Sequence, residues 1–333
     1  MNLHQWKNTI KNFNDKFSEN KEVQKEWNIN TKANLPLFKK ENSIWNLDFK
    51  YSGKDEKAFF LVGSSPALKK DVLLLKDVNR DNSRILCCNS SLKFLLRHDV
   101  KPDYVISLDS DKIDIPQHLD IDRDDITLLA SSATHRSVLD KWKGPIYYLP
   151  YYSLDDELKP KIRAKLGRKV PSGGNSMTEA LFVATVIFGA KVIVFVGTEY
   201  CFDKDYYADK TAAKQEKLKT LYPAVDVLGN KRWTLPALYQ YAIWTEKACG
   251  DLTPPAVFID TSFGLLGKDT DIIYNKTLED TLRLVDEIFK GKKDGSQIAE
   301  LRVRKHDRDK GEVLRYDLSA QRDKLLQFAR GRS

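Results

Sequence analysis

The sequence predicts a doubly wound α/β protein with a mostly parallel sheet and helical extensions at both ends. Three observations lead there. Short unbroken apolar runs recur along the chain, segments of helical period separate them, and small or turn-forming residues stand where each run stops. Strands buried on both faces lose the in–out alternation of a half-exposed sheet and read as continuous apolar runs. Parallel neighbours also need a long crossover between them, which is usually a helix.

The opening MNLHQWKNTIKNFNDKF sets Trp6, Ile10, Phe13 and Phe17 at helical spacing, so residues 1–55 are expected as a helical extension without a signal peptide. From Ala58, AFFLV reads as a buried strand, followed by a turn at Gly63–Pro66 and a helix through Leu73–Leu75. RILCC is the second strand, stopping at Asn89 before the helix SLKFLLRHDV, and DYVISLD is the third. ITLLAS and PIYYLP follow, with THRSVLDKW as the helix between them. A helix near Asp155–Leu166 precedes PSGGNSMTEALFVATVIFGAKVIVFVGTEY, residues 171–200. There a helix starts near Ser176, Gly189 ends it, and VIVFV is the strand. TLPALYQYAIWTEKACG gives another helix and AVFIDT the last strand. Residues 56–289 are thus one sheet domain, and residues 290–333 a basic helical tail.

With 333 residues and 41% hydrophobic side chains the chain can bury a large core. No apolar run reaches the roughly 18–20 residues that span a bilayer, so no membrane partner is expected. Cysteines at 87, 88, 201 and 249 fit neither zinc spacing nor a disulfide framework, which predicts reduced thiols in a cytoplasmic protein. The net charge of +8 gathers toward the ends. The tail, with Leu314, Leu318, Leu325 and Phe328 as an apolar stripe, reads as a solvated helix or one that packs on a partner, a second copy included. A nucleic-acid partner has only the charge in its favour. His98 and His135 lie in amphipathic helical segments and read as surface or structural residues. The absence of Ser-His-Asp order, HExxH and CxxC removes hydrolase and zinc readings.

In an open parallel sheet, ligands bind beyond the carboxyl ends of the strands. At the first such end stand Gly63, Ser64 and Ser65, with Pro66 at the start of a helix. Amides and hydroxyls at a positive helix terminus suit a phosphate, while an ordinary capped turn explains the same residues. Asn89 can contact a nucleoside or cap its helix. Asp109 and Asp111, two apart in extended chain, can face one Mg²⁺ or form a solvated acidic loop. Ser176 and Glu179 have capping-box spacing, so Glu179 reads as structural. Gly173 and Gly174, with Ser172 and Asn175 around them, then read as a turn that admits a phosphate or carboxylate close to the backbone. Glu199 faces the same crevice, with Asp203 or Asp205 beside it.

Together, FLVGSSPAL, CCNSSLKFLLRHDVKPDYVISLDSD, the stretch 171–202, VLGNKRWTLPALYQYAIWTEK and FIDTSFGLLG occur in an order that resembles one family. It contains the bacterial motility-associated-factor glycosyltransferases and the archaeal 6-hydroxymethylpterin diphosphokinases. The resemblance spans roughly Ala58 to Gly267 and implies a Rossmann-like core that binds a nucleotide. One version implies a nucleotide-activated sugar as donor, such as a CMP-sugar, and an acceptor hydroxyl; the other implies ATP, Mg²⁺ and pyrophosphoryl transfer. Nucleotide and phosphate would rest on Gly63, Ser64, Ser65, Asn89, Ser172, Gly173, Gly174, Asn175 and Ser176. Glu199 or Asp109 would take the acceptor proton, Asp109 and Asp111 would hold the metal, and Thr234 and Tyr239 would meet the acceptor. The chain departs from the family pattern at Ser64 and Ala67, and Glu199 stands where the family has Asp. Glycosyl transfer is the reading placed first, pyrophosphoryl transfer the second. A non-catalytic module that binds a nucleotide or a protein partner through the basic tail is the third, and Asp109, Asp111 and Glu199 facing solvent away from the glycine turns would support it.

Overall fold

A computed structural model describes residues 21–51, 57–108, 110, 119, 121–151, 155–209, 221–251, 257–268, 270 and 272–291. The amphipathic start, the basic tail, Asp109 and Asp111 lie outside these residues. The strands are β1 Ala58–Val62, β2 Ser83–Cys88, β3 Tyr104–Ser107, β4 Thr127–Ser131, β5 Ile146–Leu149, β6 Val192–Val196, β7 Tyr222–Val225, β8 Lys231–Thr234, β9 Val257–Asp260 and β10 Ile273–Asn275. The helices are α1 Lys21–Asn34, α2 Ile44–Tyr51, α3 Leu68–Asp71, α4 Asn89–Arg97, α5 Arg136–Leu139, α6 Leu158–Leu166, α7 Ser176–Phe182, α8 Pro236–Asp251 and α9 Leu278–Phe289.

Eight strands form one sheet in the order β10-β9-β6-β1-β2-β3-β4-β5, every pairing parallel. Successive side chains of a strand point to opposite faces, and here both faces are core. In β1, Ala58, Phe60 and Val62 pack into one apolar layer while Phe59 and Leu61 pack into the other. The same alternation divides Val192, Val194 and Val196 of β6 from Ile193 and Phe195. α3, α4, α5, α6 and α9 supply the first layer; α2, α7 and α8 supply the second. The doubly wound parallel sheet predicted from the apolar runs is therefore the observed fold.

Several local expectations change. The helix predicted over THRSVLDKW shortens to α5, capped by His135, whose Nδ1 accepts from Ser137 N. After Pro66 the chain makes the short α3 and then a 3-10 turn at Leu74–Asp77. β7 and β8 form an antiparallel hairpin that the apolar pattern did not announce. α1 docks on the carboxyl rim of the sheet: Asn30 Nδ2 donates to Ser110 O (2.9 Å) and Ala133 O (3.1 Å), and Asn34 Nδ2 to Ser132 O (3.1 Å) and Thr134 O (2.7 Å). Among the described residues no helix is long and apolar enough to cross a membrane.

Candidate functional site

Strand order reverses at β1: β2 to β5 extend to one side, and β6, β9 and β10 to the other. The crevice at such a reversal, outside the carboxyl ends, is where this architecture binds ligands. Here the loops after β1 and β6 meet. Gly63 N donates to Val196 O (2.9 Å) and Ser65 N to Gly197 O (3.0 Å). A Cβ on Gly63 would sit 2.4 Å from Gly197 O, so the approach of two backbones accounts for this glycine.

Glu199 follows that loop and is buried, at 6% exposure. Its Oε2 accepts from Ala67 N at 2.8 Å, and its own amide donates to Ser65 Oγ at 3.3 Å. The turn at Gly63–Pro66 was open to two readings, free amides and hydroxyls for a phosphate or an ordinary capped turn. Gly197 O takes the Ser65 amide and the Glu199 carboxylate takes the Ala67 amide. Burial raises the Glu199 carboxyl above its usual range, opposed by the Ala67 and Ser65 bonds and by Arg232 and Lys70. Asp71, on α3, is pushed up to about 6 by burial and further by the Glu199 charge, with Lys70 opposing. Glu199 is thus neither solvent-facing nor remote from the Gly63 and Gly197 turns, while Asp109 and Asp111 lie outside the described residues.

Beside it, Ser90 Oγ donates to Ser64 Oγ at 2.8 Å, and Asn89, buried, opens α4. The ends of β1, β2 and β6 therefore converge as expected. The segment after Glu199 lies across them: Ala208 N donates to Ser64 O (2.8 Å), and Asp205 pairs with Lys69 (2.9 Å). Asp203 is exposed.

The turn before α7 differs from expectation. Asn175, not Ser176, is the cap: its Oδ1 accepts from Thr178 N (2.9 Å), and Thr178 Oγ1 donates back to Asn175 O (2.7 Å). Ser176 is the first helical residue, and Glu179 has no part in capping. Burial pushes the Glu179 carboxyl up to about 7, against the Ser172 hydroxyl and the Lys169 ammonium. Gly173 donates to Thr178 Oγ1 (3.0 Å), and a Cβ there would lie 2.4 Å from the Trp244 ring. Gly174 has φ +100° and donates to Ser172 Oγ (3.1 Å). Packing accounts for Gly173 and backbone angle for Gly174. Tyr200 joins this turn to the Glu199 loop, with its side chain bonded to Asn175 and its hydroxyl 3.2 Å from Thr245 Oγ1.

Thr234 ends β8 and donates its hydroxyl to Tyr200 O at 2.8 Å, two residues before α8 begins. Tyr239 is half-buried on α8 against the second layer. Sequence reasoning missed Arg232. Asp226, fully buried, accepts from Leu228 N (3.0 Å), Asn230 N (2.8 Å), Asn230 Nδ2 (3.1 Å) and Arg232 Nε (3.0 Å). The DVLGNKR spacing carried the signal, as an acidic turn residue followed by a cation six positions on. Among the described residues no three His, Cys, Asp or Glu side chains converge as metal ligands.

No curated protein matches the chain. Among solved structures, that of the MAf glycosyltransferase from Magnetospirillum magneticum AMB-1 is similar at 15% identity and a TM-score of 0.49. The similarity covers 68% of this chain and 34% of that one, so the chain spans about a third of that protein's length. A family model described as 6-hydroxymethylpterin diphosphokinase MptE-like matches residues 29–205, from α1 through the Glu199 loop. That is more than half of the 333 residues, and the chain belongs to the 6-hydroxymethylpterin diphosphokinase MptE-like family.

Proposed function

We propose that the protein is a nucleotide-dependent transferase, with Glu199 as the base that takes the proton of an acceptor hydroxyl. The observation that carries this reading is the buried Glu199 carboxylate at the strand-order reversal, held by Ala67 N and raised by burial. A raised carboxylate is a stronger base, and a fixed one costs little reorganisation at the moment of transfer. Family membership supports pyrophosphoryl transfer from ATP: the acceptor oxygen bonds to the β-phosphorus, the bond from that phosphorus to the α,β-bridging oxygen breaks, AMP leaves, and the hydroxyl proton passes to Glu199. Mg²⁺ would neutralise phosphate charge in that reaction, and its candidate ligands are Asp109 and Asp111. Glycosyl transfer from a nucleotide sugar is the second reading, favoured because a base and hydroxyl donors alone serve it, and Glu199, Ser64 and Ser90 already stand together.

The test is incubation with ATP, Mg²⁺ and a hydroxymethylpterin, following AMP by ³¹P NMR. AMP release that falls about a hundredfold or more in Glu199→Gln supports the reading; the glutamine oxygen still accepts from Ala67 N, so the loop stays in place. CMP release from a CMP-sugar, with no AMP in the first assay, selects glycosyl transfer. Neither product overturns the transferase reading.

A further inference from the structure

The hairpin of β7 and β8 is tied to the loop that carries Glu199. Trp233 and Phe202 exchange two backbone bonds of 2.8 Å, and Thr234 Oγ1 reaches Tyr200 O. At its turn, Val227 N donates to Gly264 O (2.9 Å), and Leu265 N donates to Glu199 O (2.9 Å). Successive residues of a strand face opposite sides. Trp233, 43% exposed, faces out, and Arg232, with its side chain 28% exposed, faces the Glu199 loop, where its charge acts on Glu199 and Cys201.

The guanidinium is fixed in an unusual way. Asp226 is 0% exposed at its side chain and holds Arg232 through Nε only, while three other donors hold Asp226. Among the described residues, Nη1 and Nη2 make no bond. A planar fork anchored at Nε and open at its outer edge matches two oxygens of a phosphoryl group.

We propose that Arg232 is the anion-binding side chain of this crevice and takes a phosphoryl group of the nucleotide donor on its Nη edge. This deepens the transferase reading and rests on it: Glu199, fixed by Ala67 N, serves as the base, and Arg232, fixed by Asp226, holds the donor phosphate. Lys70, whose ammonium lies over the Phe263 ring, is a second cation whose charge acts on Glu199. A purely structural Arg232 would serve only to brace the hairpin through Asp226.

Calorimetric titration of the full chain with inorganic pyrophosphate, ATP with Mg²⁺, and CMP tests this. Arg232→Ala should weaken whichever of these the wild type binds by about tenfold or more, the scale of a lost charge-assisted bond. Arg232→Lys, which keeps charge without the fork, should fall between, and it carries the comparison if the alanine variant does not fold. Circular dichroism and the melting temperature of each variant separate lost binding from lost structure. Unchanged affinity in folded Arg232→Ala overturns the assignment and leaves the transferase reading intact; a wild type that binds none of the three overturns both. Pyrophosphate and ATP affected alike, with CMP unaffected, places the contact on the terminal phosphates. CMP affected places it on the phosphate next to the nucleoside.

Discussion

Four carboxyls in the described structure hold their protons unusually well, Glu199 among them. Burial pushes Asp71 to about 6, and Glu179 and Asp260 to about 7. Each folded value lies above the ordinary carboxylate range, so the folded state binds more protons than the unfolded chain between roughly pH 4 and 7. Their contribution to stability is fully present below the unfolded values and is lost as pH rises through 6 and 7. The melting temperature should therefore fall from pH 5 to pH 8. Glu179→Gln, which removes the charge and keeps the volume, should flatten that slope in scanning calorimetry; an unchanged slope would reject the assignment. Glu199 was legible in the sequence because a lone carboxylate follows a buried strand, but its amide partner, 132 residues earlier, was not. The cap before α7 was misread by one position. Asn175 and Ser176 are both good cap residues, and the reciprocal bonds between Asn175 and Thr178 fix the cap at Asn175.

Elements differ in how much of their reason for existing is local. β1 and β6 could be read directly, since both of their faces are core and every residue had to be apolar. β7 and β8 could not, because only Ala224 and Thr234 of their eight residues are buried, and β7 contains Pro223. The glycine turn before α7 lies between these cases: its pattern was visible, its cause was Trp244 on α8. Gly173→Ala should lower stability by about 1–3 kcal/mol through overpacking, and Gly174→Ala by about 1–2 kcal/mol through backbone strain. A smaller residue at 244 should relieve the first and not the second. If Gly173→Ala melts like the wild type yet loses nucleotide binding, the ligand explanation returns.

For the whole molecule, composition and the alternation of runs were enough for the fold class, because parallel strands buried on both faces leave few other solutions. The order of strands was not legible. It depends on which strands pair across long separations, and no local pattern records that choice.

That order has a consequence for synthesis. β1 lies at the centre, yet one of its two neighbours, β6, ends at Val196, more than 130 positions after β1. α1 likewise waits for partners 80 to 103 residues downstream. A nascent chain therefore leaves the ribosome with its innermost strand half-zipped and carries an open apolar edge until β6 follows. Such edges pair readily with other chains. A chain truncated before Lys191 should precipitate on expression, where one carried through Phe289 stays dispersed. The cell makes the middle of this protein early and can close it only late.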